Sequence, residues 1–274
     1  MANLIKKFKS FIPLKTKIFF SYLKNFNHIP YSLASLINND STISDFFIYD
    51  RDCLSVGFIA ENIRAILLGY EVPITHNFKF FSKEGFLLDH QTFKTNDFFH
   101  KIRFNKIKCD DKYISFIHYV ESDLKLNEVI RNVEKSKILN FSEQNRGYTI
   151  YYPFNCNTGS VVHGNFGGIS KNLKKSARQT FRKHIYTPIY KFKDDCQYDL
   201  VFNNPTPDFI DIKIIFNNYQ NVCYLKIPSM GTRNLPINNF IGSVSFISKL
   251  PICRALVFKN PTKNSKGNFD VFHS

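Results

Sequence analysis

The stretch SVVHGNFGGISKNLKKSARQTFRKHIYTP, Ser160 to Pro188, places a histidine and three glycines directly before a run of lysine and arginine that contains no acid. Three chemistries use such residues. Backbone amides of a glycine-rich loop can meet the negative charge that develops on an acyl oxygen, as in esterases, and His163-Gly164-Asn165-Phe166-Gly167-Gly168 has that composition. That reaction also needs an exposed nucleophile, and no G-x-S-x-G occurs in the chain. A metal centre needs clustered ligands, whereas the 8 histidines are scattered with no HxH, HExxH or HxxxH pair.

The third chemistry is anion binding. Glycines let backbone N–H groups turn toward an anion, and Lys174, Lys175, Arg178 and Arg182 supply the charge. Arg178 and Arg182 share a face if their segment is helical. Neither a Walker A sequence nor a dinucleotide fingerprint is present. The expected site is therefore an anion-facing loop made of His163, Gly164, Gly167, Gly168, Lys174, Lys175, Arg178 and Arg182, with no catalytic residue, metal or cofactor assigned. A solvated glycine-rich turn has the same composition and is the plainer reading of His163 taken alone.

Charge placement supports a docking surface. Residues 1–39 hold Lys6, Lys7, Lys9, Lys15, Lys17 and Lys24 without an acid, and residues 171–193 hold eight more cations without an acid. Six plus eight makes fourteen of the formal +15, so the rest of the chain is nearly neutral and the basicity is local. The six cysteines are widely spaced with no CxxC, and Lys15 and Lys17 interrupt any leader-like apolar run. No stretch approaches the roughly 18 to 20 apolar residues of a membrane span. A reducing, cytoplasmic setting is expected, either free or at the membrane periphery.

The elements that must position this loop are read from periodicity. Ile18, Phe19, Tyr22, Leu23 and Phe26 form an apolar stripe at helical spacing, which makes residues 1–40 a basic amphipathic arm. From Ser44 onward, short runs of Phe, Tyr, Ile and Val alternate with turns such as Lys83-Glu84-Gly85 and Asn217-Asn218. Phe209–Phe216 and Val244–Ser248 alternate apolar and polar residues, as half-buried antiparallel strands do. Leu126, Val129, Ile130 and Val133 have helical spacing behind Ser122 and Asp123, giving a linking helix over 121–142.

An internal repeat is legible. Ile48-Tyr49 and Ile150-Tyr151 each precede a cysteine and then an asparagine, Asn62 or Asn165; Asn77–Phe81 can be set beside Ile189–Lys193, and Ile114–His118 beside Val244–Ser248. The shared asparagine reads as structural, satisfying backbone groups at a strand end. The predicted architecture is mainly β: a sandwich over 41–120, the linking helix, a second sandwich over 143–258, and a tail over 259–274 in a loop. In texture the two tandem modules resemble immunoglobulin or fibronectin-type sandwiches, although with no Trp the antibody Cys…Trp…Cys framework is excluded.

The leading functional expectation is a non-enzymatic binding or accessory protein that engages an anionic membrane surface or polyanion through the arm and the basic loop. Nucleic acid is one such anion, but stacking aromatics beside the run are limited to Phe166, Phe181 and Tyr186. Two alternatives stand beside it. One is an enzyme on sugars or sugar phosphates in surface-polysaccharide assembly, with His163 as acid or base and Arg178 or Arg182 holding phosphate. The other is a structural homo-oligomer pairing through strand edges.

Overall fold

The computed structural model describes residues 42–43, 46–124, 128–129, 147–154, 159–164, 169–170, 179, 183–193, 196–206, 208–217, 221–250, 254–261 and 269–274. The arm at 1–40, most of the linker at 121–142, and Asn165 lie outside them.

The chain is mainly β. In the first half run β1 (Thr42–Ile43), β2 (Phe46–Asp50), β3 (Ser55–Glu61), helix α1 (Ile63–Leu68), β4 (Ile74–Phe81), β5 (Leu87–Thr95), β6 (Phe99–Arg103), β7 (Tyr113–Glu121), β8 (Tyr148–Tyr152) and β9 (Ser160–His163). There follow β10 (Ile169–Ser170), β11 (His184–Tyr186), β12 (Cys196–Asn203), β13 (Ile210–Phe216), β14 (Asn221–Ile227), β15 (Thr232–Ile237), β16 (Val244–Ser248), β17 (Leu256–Pro261) and β18 (Asp270–His273). Apart from the small β1–β10 pair, the strands form four antiparallel sheets of four, ordered β2-β7-β4-β5, β6-β3-β8-β9, β15-β12-β17-β18 and β11-β16-β13-β14.

Counted from β2 and from β11, the two halves place their strands in one order. The first, sixth, third and fourth strands make one sheet, and the fifth, second, seventh and eighth make the other. Ile114–His118 and Val244–Ser248 fall on equivalent sixth strands. The other matches read from sequence do not: Ile48 is on a first strand and Ile150 on a seventh, and Asn77–Phe81 is on a third strand while Ile189–Lys193 lies between β11 and β12. Inner strands of this kind share a Phe/Tyr/Ile texture, so short matches slide between them. The expected boundary at 121–142 moves as well, because β8 pairs with β3 and so joins the first half. The repeat changes over between β9 and β11, in the stretch that carries the basic run.

Burial explains the stacking. In β2 all five residues are buried, and in β7 the seven residues Tyr113–Tyr119 are buried in succession. A strand buried at every position is covered on both faces. Phe47, Phe58, Phe78, Phe80 and Phe116 fill the space between β2-β7-β4-β5 and β6-β3-β8-β9, and the same core takes in Val201, Leu256 and Phe258 from the second half. Tyr198, Leu200, Phe202, Ile212, Ile214 and Phe246 fill the other core, which reaches back to Phe46, Ile117 and Tyr119. The halves are thus joined through β2-β7-β4-β5 and β15-β12-β17-β18. Hydrogen bonds sew that junction: the Tyr113 hydroxyl donates to Asp199 at 2.7 Å, Lys112 to Asp199 at 3.0 Å, and the Thr232 hydroxyl to the Tyr113 carbonyl at 2.9 Å. Gly85, at φ +85 in the Lys83–Gly85 turn, must be glycine for a second reason, since a Cβ there would sit 1.9 Å from the Ser229 carbonyl oxygen.

Two expectations need correction. Helix was expected to be confined to the arm and the linker, yet α1 lies inside the first half and directly follows β3. Asn62 is its N-cap, accepting from the Ala65 N–H at 3.2 Å and donating to the Val72 carbonyl at 2.7 Å. The asparagine is structural, but it starts a helix. The tail is no loop: Asp270–His273 forms β18, which pairs with β17. Its Asp-Val-Phe-His run is too short for a period-2 signal to register.

Candidate functional site

His163 ends β9, and its ring is held from within the chain. Its Nδ1 lies 2.9 Å from the Gly164 carbonyl oxygen and 3.1 Å from Nε2 of His273 on β18. That same Nε2 is 2.9 Å from the His163 carbonyl oxygen, so a proton there is donated to a backbone acceptor. The rings are 4.4 Å apart. His163 and Gly164 border a cavity of about 10 Å³, room for one water at most. Gly167, Gly168, Lys174, Lys175, Arg178 and Arg182 lie outside the described residues, so of the expected anion loop only its first two members are placed.

The basic run ends at a groove. β13 alternates, with Ile210, Ile212 and Ile214 buried while Asp211 and Lys213 face outward. Its outward side chains continue across the sheet in register: Ile185 of β11 lies opposite Ile247 of β16, Ile247 opposite Lys213, and Lys213 opposite Tyr224 of β14. In the adjacent row Asp211 lies opposite Lys226. Lys183 and Lys249 follow at the strand ends. Gln179, Lys183, Asp211, Lys213, Tyr224 and Lys249 line a groove of about 350 Å³ on this face.

Three lysines against one aspartate make the groove cationic. Tyr224 is 71% exposed and Phe209 58% exposed, so their rings stand in solvent beside those charges. The Lys226 ammonium lies 5.0 Å from the Phe209 ring centroid, within cation–π range. The Gln179 amide donates to the Phe209 carbonyl at 2.6 Å at the rim of the groove.

Other polar groups do different work. A larger hollow of about 440 Å³ is lined by Pro73, Thr75, Lys94, Asn96, Glu121 and Asp123 and has no cationic excess. Between the two sheets of the first half, His76 Nδ1 and His118 Nε2 are 2.9 Å apart, the His76 and His100 rings lie parallel at 6.5 Å, and His118 stacks on Phe78. Burial first, then the charges of His100 and Arg64, holds His76 down at about 3, and burial next to His76 holds His118 well below its usual range. Both rings are neutral at physiological pH, so the pair shares one hydrogen bond without charge. Among the described residues no group of three or more His, Cys, Asp or Glu is arranged to hold a metal ion. Among them, too, no helix is long and apolar enough to cross a membrane.

Sequence reasoning missed Lys213, Tyr224 and Lys249. A signal existed in the alternation of Phe209–Phe216, which assigns Asp211 and Lys213 to one face. It did not reveal that Tyr224 and Lys249 share that face, because strand pairing across 11 to 36 residues brings them there (from Lys213 to Tyr224 and to Lys249).

No family model matches the chain, and no curated protein matches it. Among solved structures, the M60 catalytic domain with the CBM51-1 and CBM51-2 domains from Clostridium perfringens ZmpB is similar over 79% of this chain and 33% of its own, with 8% sequence identity and a TM-score of 0.20. The chain spans about a third of that structure's length, and a likeness of that size carries no argument.

Proposed function

We propose that the chain is a non-enzymatic binding protein for an anionic partner, engaged through the basic run between the halves and assisted by the basic arm. The observation that carries this reading is the groove where the run ends, with Lys183, Lys213 and Lys249 set against Asp211. Clustered like charges raise the local potential and draw a polyanion in, and the lysines keep their effect because each is held by a strand or its end. The rigid scaffold is read as two tandem β-sandwiches, a reading that the repeated strand order supports.

Heparin, a polyanion without bases or acyl chains, tests this. The full chain should bind labelled heparin in 50 mM salt, and affinity should fall steeply by 200 mM as counterion release is lost. The variant Lys183→Ala/Lys213→Ala/Lys249→Ala should bind at least about tenfold more weakly and with a shallower salt slope, since each lost contact removes about one released ion. Equal affinity of variant and wild type at low salt refutes the assignment of the groove.

A further inference from the structure

We infer that the anion is a single-stranded nucleic acid, bound on the outer face of β11-β16-β13-β14 with bases stacked on Tyr224 and Phe209. This rests on the anion-binding reading and adds the class of partner. The repeated strand order singles this face out. In the first half the equivalent sheet, β2-β7-β4-β5, turns the outer face of β2 and β7 onto the second half and buries it; in the second half that face is open.

A second copy of the chain is the first occupant to consider, because it could repeat the internal docking with its own first half. The sheet it would present, β6-β3-β8-β9, carries Lys101 and Arg103 on its outer face, alternating with inward Ile102. Cations would meet Lys183, Lys213 and Lys249, which opposes that contact. An anionic occupant removes the conflict.

The aromatic rings then decide which anion. A phosphate backbone needs only cations, and a lipid surface asks for apolar side chains that insert together without charge between them. Here Tyr224, at the middle of edge strand β14, lies opposite Lys213, and Phe209, Asp211 and Lys213 are alternate residues on one face, so charge interrupts the apolar side chains. Phe209 is four residues along the strand from the Tyr224–Lys213 row, roughly 14 Å away at a strand rise of about 3.4 Å per residue. Two stacking platforms are therefore separated by a row of charge, Asp211 and Lys226, on one face of the sheet. Unpaired bases offer π-faces to such platforms while lysines meet the phosphates; paired bases keep those faces inside the duplex.

The test is fluorescence anisotropy on the full chain with a labelled single-stranded oligonucleotide, the duplex of the same length, labelled heparin, and vesicles of phosphatidylserine and phosphatidylcholine. The expected result is tighter binding of the single strand than of the duplex, and a loss of about tenfold for the single strand in Tyr224→Ala, the effect of one stacked base. Tyr224→Phe should retain binding, and heparin affinity should be unchanged in both variants. Because Tyr224 is exposed, thermal unfolding of the variants should match wild type, which excludes misfolding as the cause. Equal binding of single strand and duplex, or no effect of Tyr224→Ala with heparin binding intact, overturns the inference and leaves the anion reading standing. Vesicle binding with the oligonucleotide ignored overturns it in favour of a membrane. Failure to bind heparin, oligonucleotide or vesicle at 50 mM salt overturns both.

Discussion

Replacing the buried pair with His76→Phe/His118→Phe should change how stability depends on pH, in a direction the structure fixes. A histidine whose folded pKa is depressed stays neutral in the fold while the unfolded chain takes up a proton below about 6.5, so stability is lost as pH falls through that value. For His76, held at about 3, the loss accumulates at about 1.4 kcal/mol per pH unit, or about 2 kcal/mol between pH 6.5 and 5. His118 acts in the same direction. Near pH 7.5 the double variant should lie close to wild type, because removing both members of a buried hydrogen bond together leaves no unpaired group, and Phe78 and Phe58 already flank the site.

Two carboxyls, the buried Asp50 and the half-buried Glu61, work against the histidines and would hide the effect in wild type alone. Burial raises Asp50 to about 6 and Glu61 to about 7, so each favours the fold at low pH and loses that contribution as pH rises from the usual carboxyl range to the raised value. Their windows overlap that of His76, and the wild-type profile between pH 4.5 and 6 is therefore flattened. Both carboxyls are present in the double variant, so the difference between the two proteins isolates the imidazoles. The assay is urea unfolding followed by far-ultraviolet circular dichroism, since the chain has no Trp to report by fluorescence. From pH 7.5 to pH 5 the variant should gain at least about 2 kcal/mol relative to wild type. A difference that stays constant over that range refutes the burial of the pair between the sheets.

Two further perturbations test the packing. Gly147→Ala should destabilise the chain by about 2 to 4 kcal/mol in urea unfolding, because φ is +67 there and a Cβ would stand 2.2 Å from the Phe58 ring. Tyr113→Phe removes the hydroxyl that donates to Asp199 at the junction of the halves and should cost about 2 kcal/mol by the same assay, as for a hydrogen bond to a charged group.

What was legible in the sequence follows from which strand faces are covered. Phe209–Phe216 and Val244–Ser248 read correctly as half-buried strands because one face of their sheet meets solvent and the alternation survives. At β2 and β7 the pattern is a continuous apolar run, which reports burial but does not say which sheet lies above and which below. That missing information is what displaced the boundary between the halves, since β8 returns across about ninety residues (from Ile59 to Tyr148) to pair with β3, and β9 pairs with β8. The basic run was plain from composition. The groove beside it was not, because its lysines and tyrosine come from two strands and the ends of two others and meet only through register.

The lysines of that groove have a second physical use, which the aromatic rings separate from the first. β11 and β14 are the edges of their sheet, and charge on an edge discourages pairing with another chain. Lys183 and Lys226 would serve that purpose whether or not any anion binds. Tyr224 would not: on a face strand position it does nothing to block edge pairing, and its exposed ring contributes little to the core. A sheet that needed only protection would place polar residues at Tyr224, Ile185 and Phe209, which are all more than half exposed. An apolar and aromatic row bordered by cations is costly in solubility unless a partner covers it, and the partner that suits both the rings and the charges has flat apolar faces on an anionic backbone.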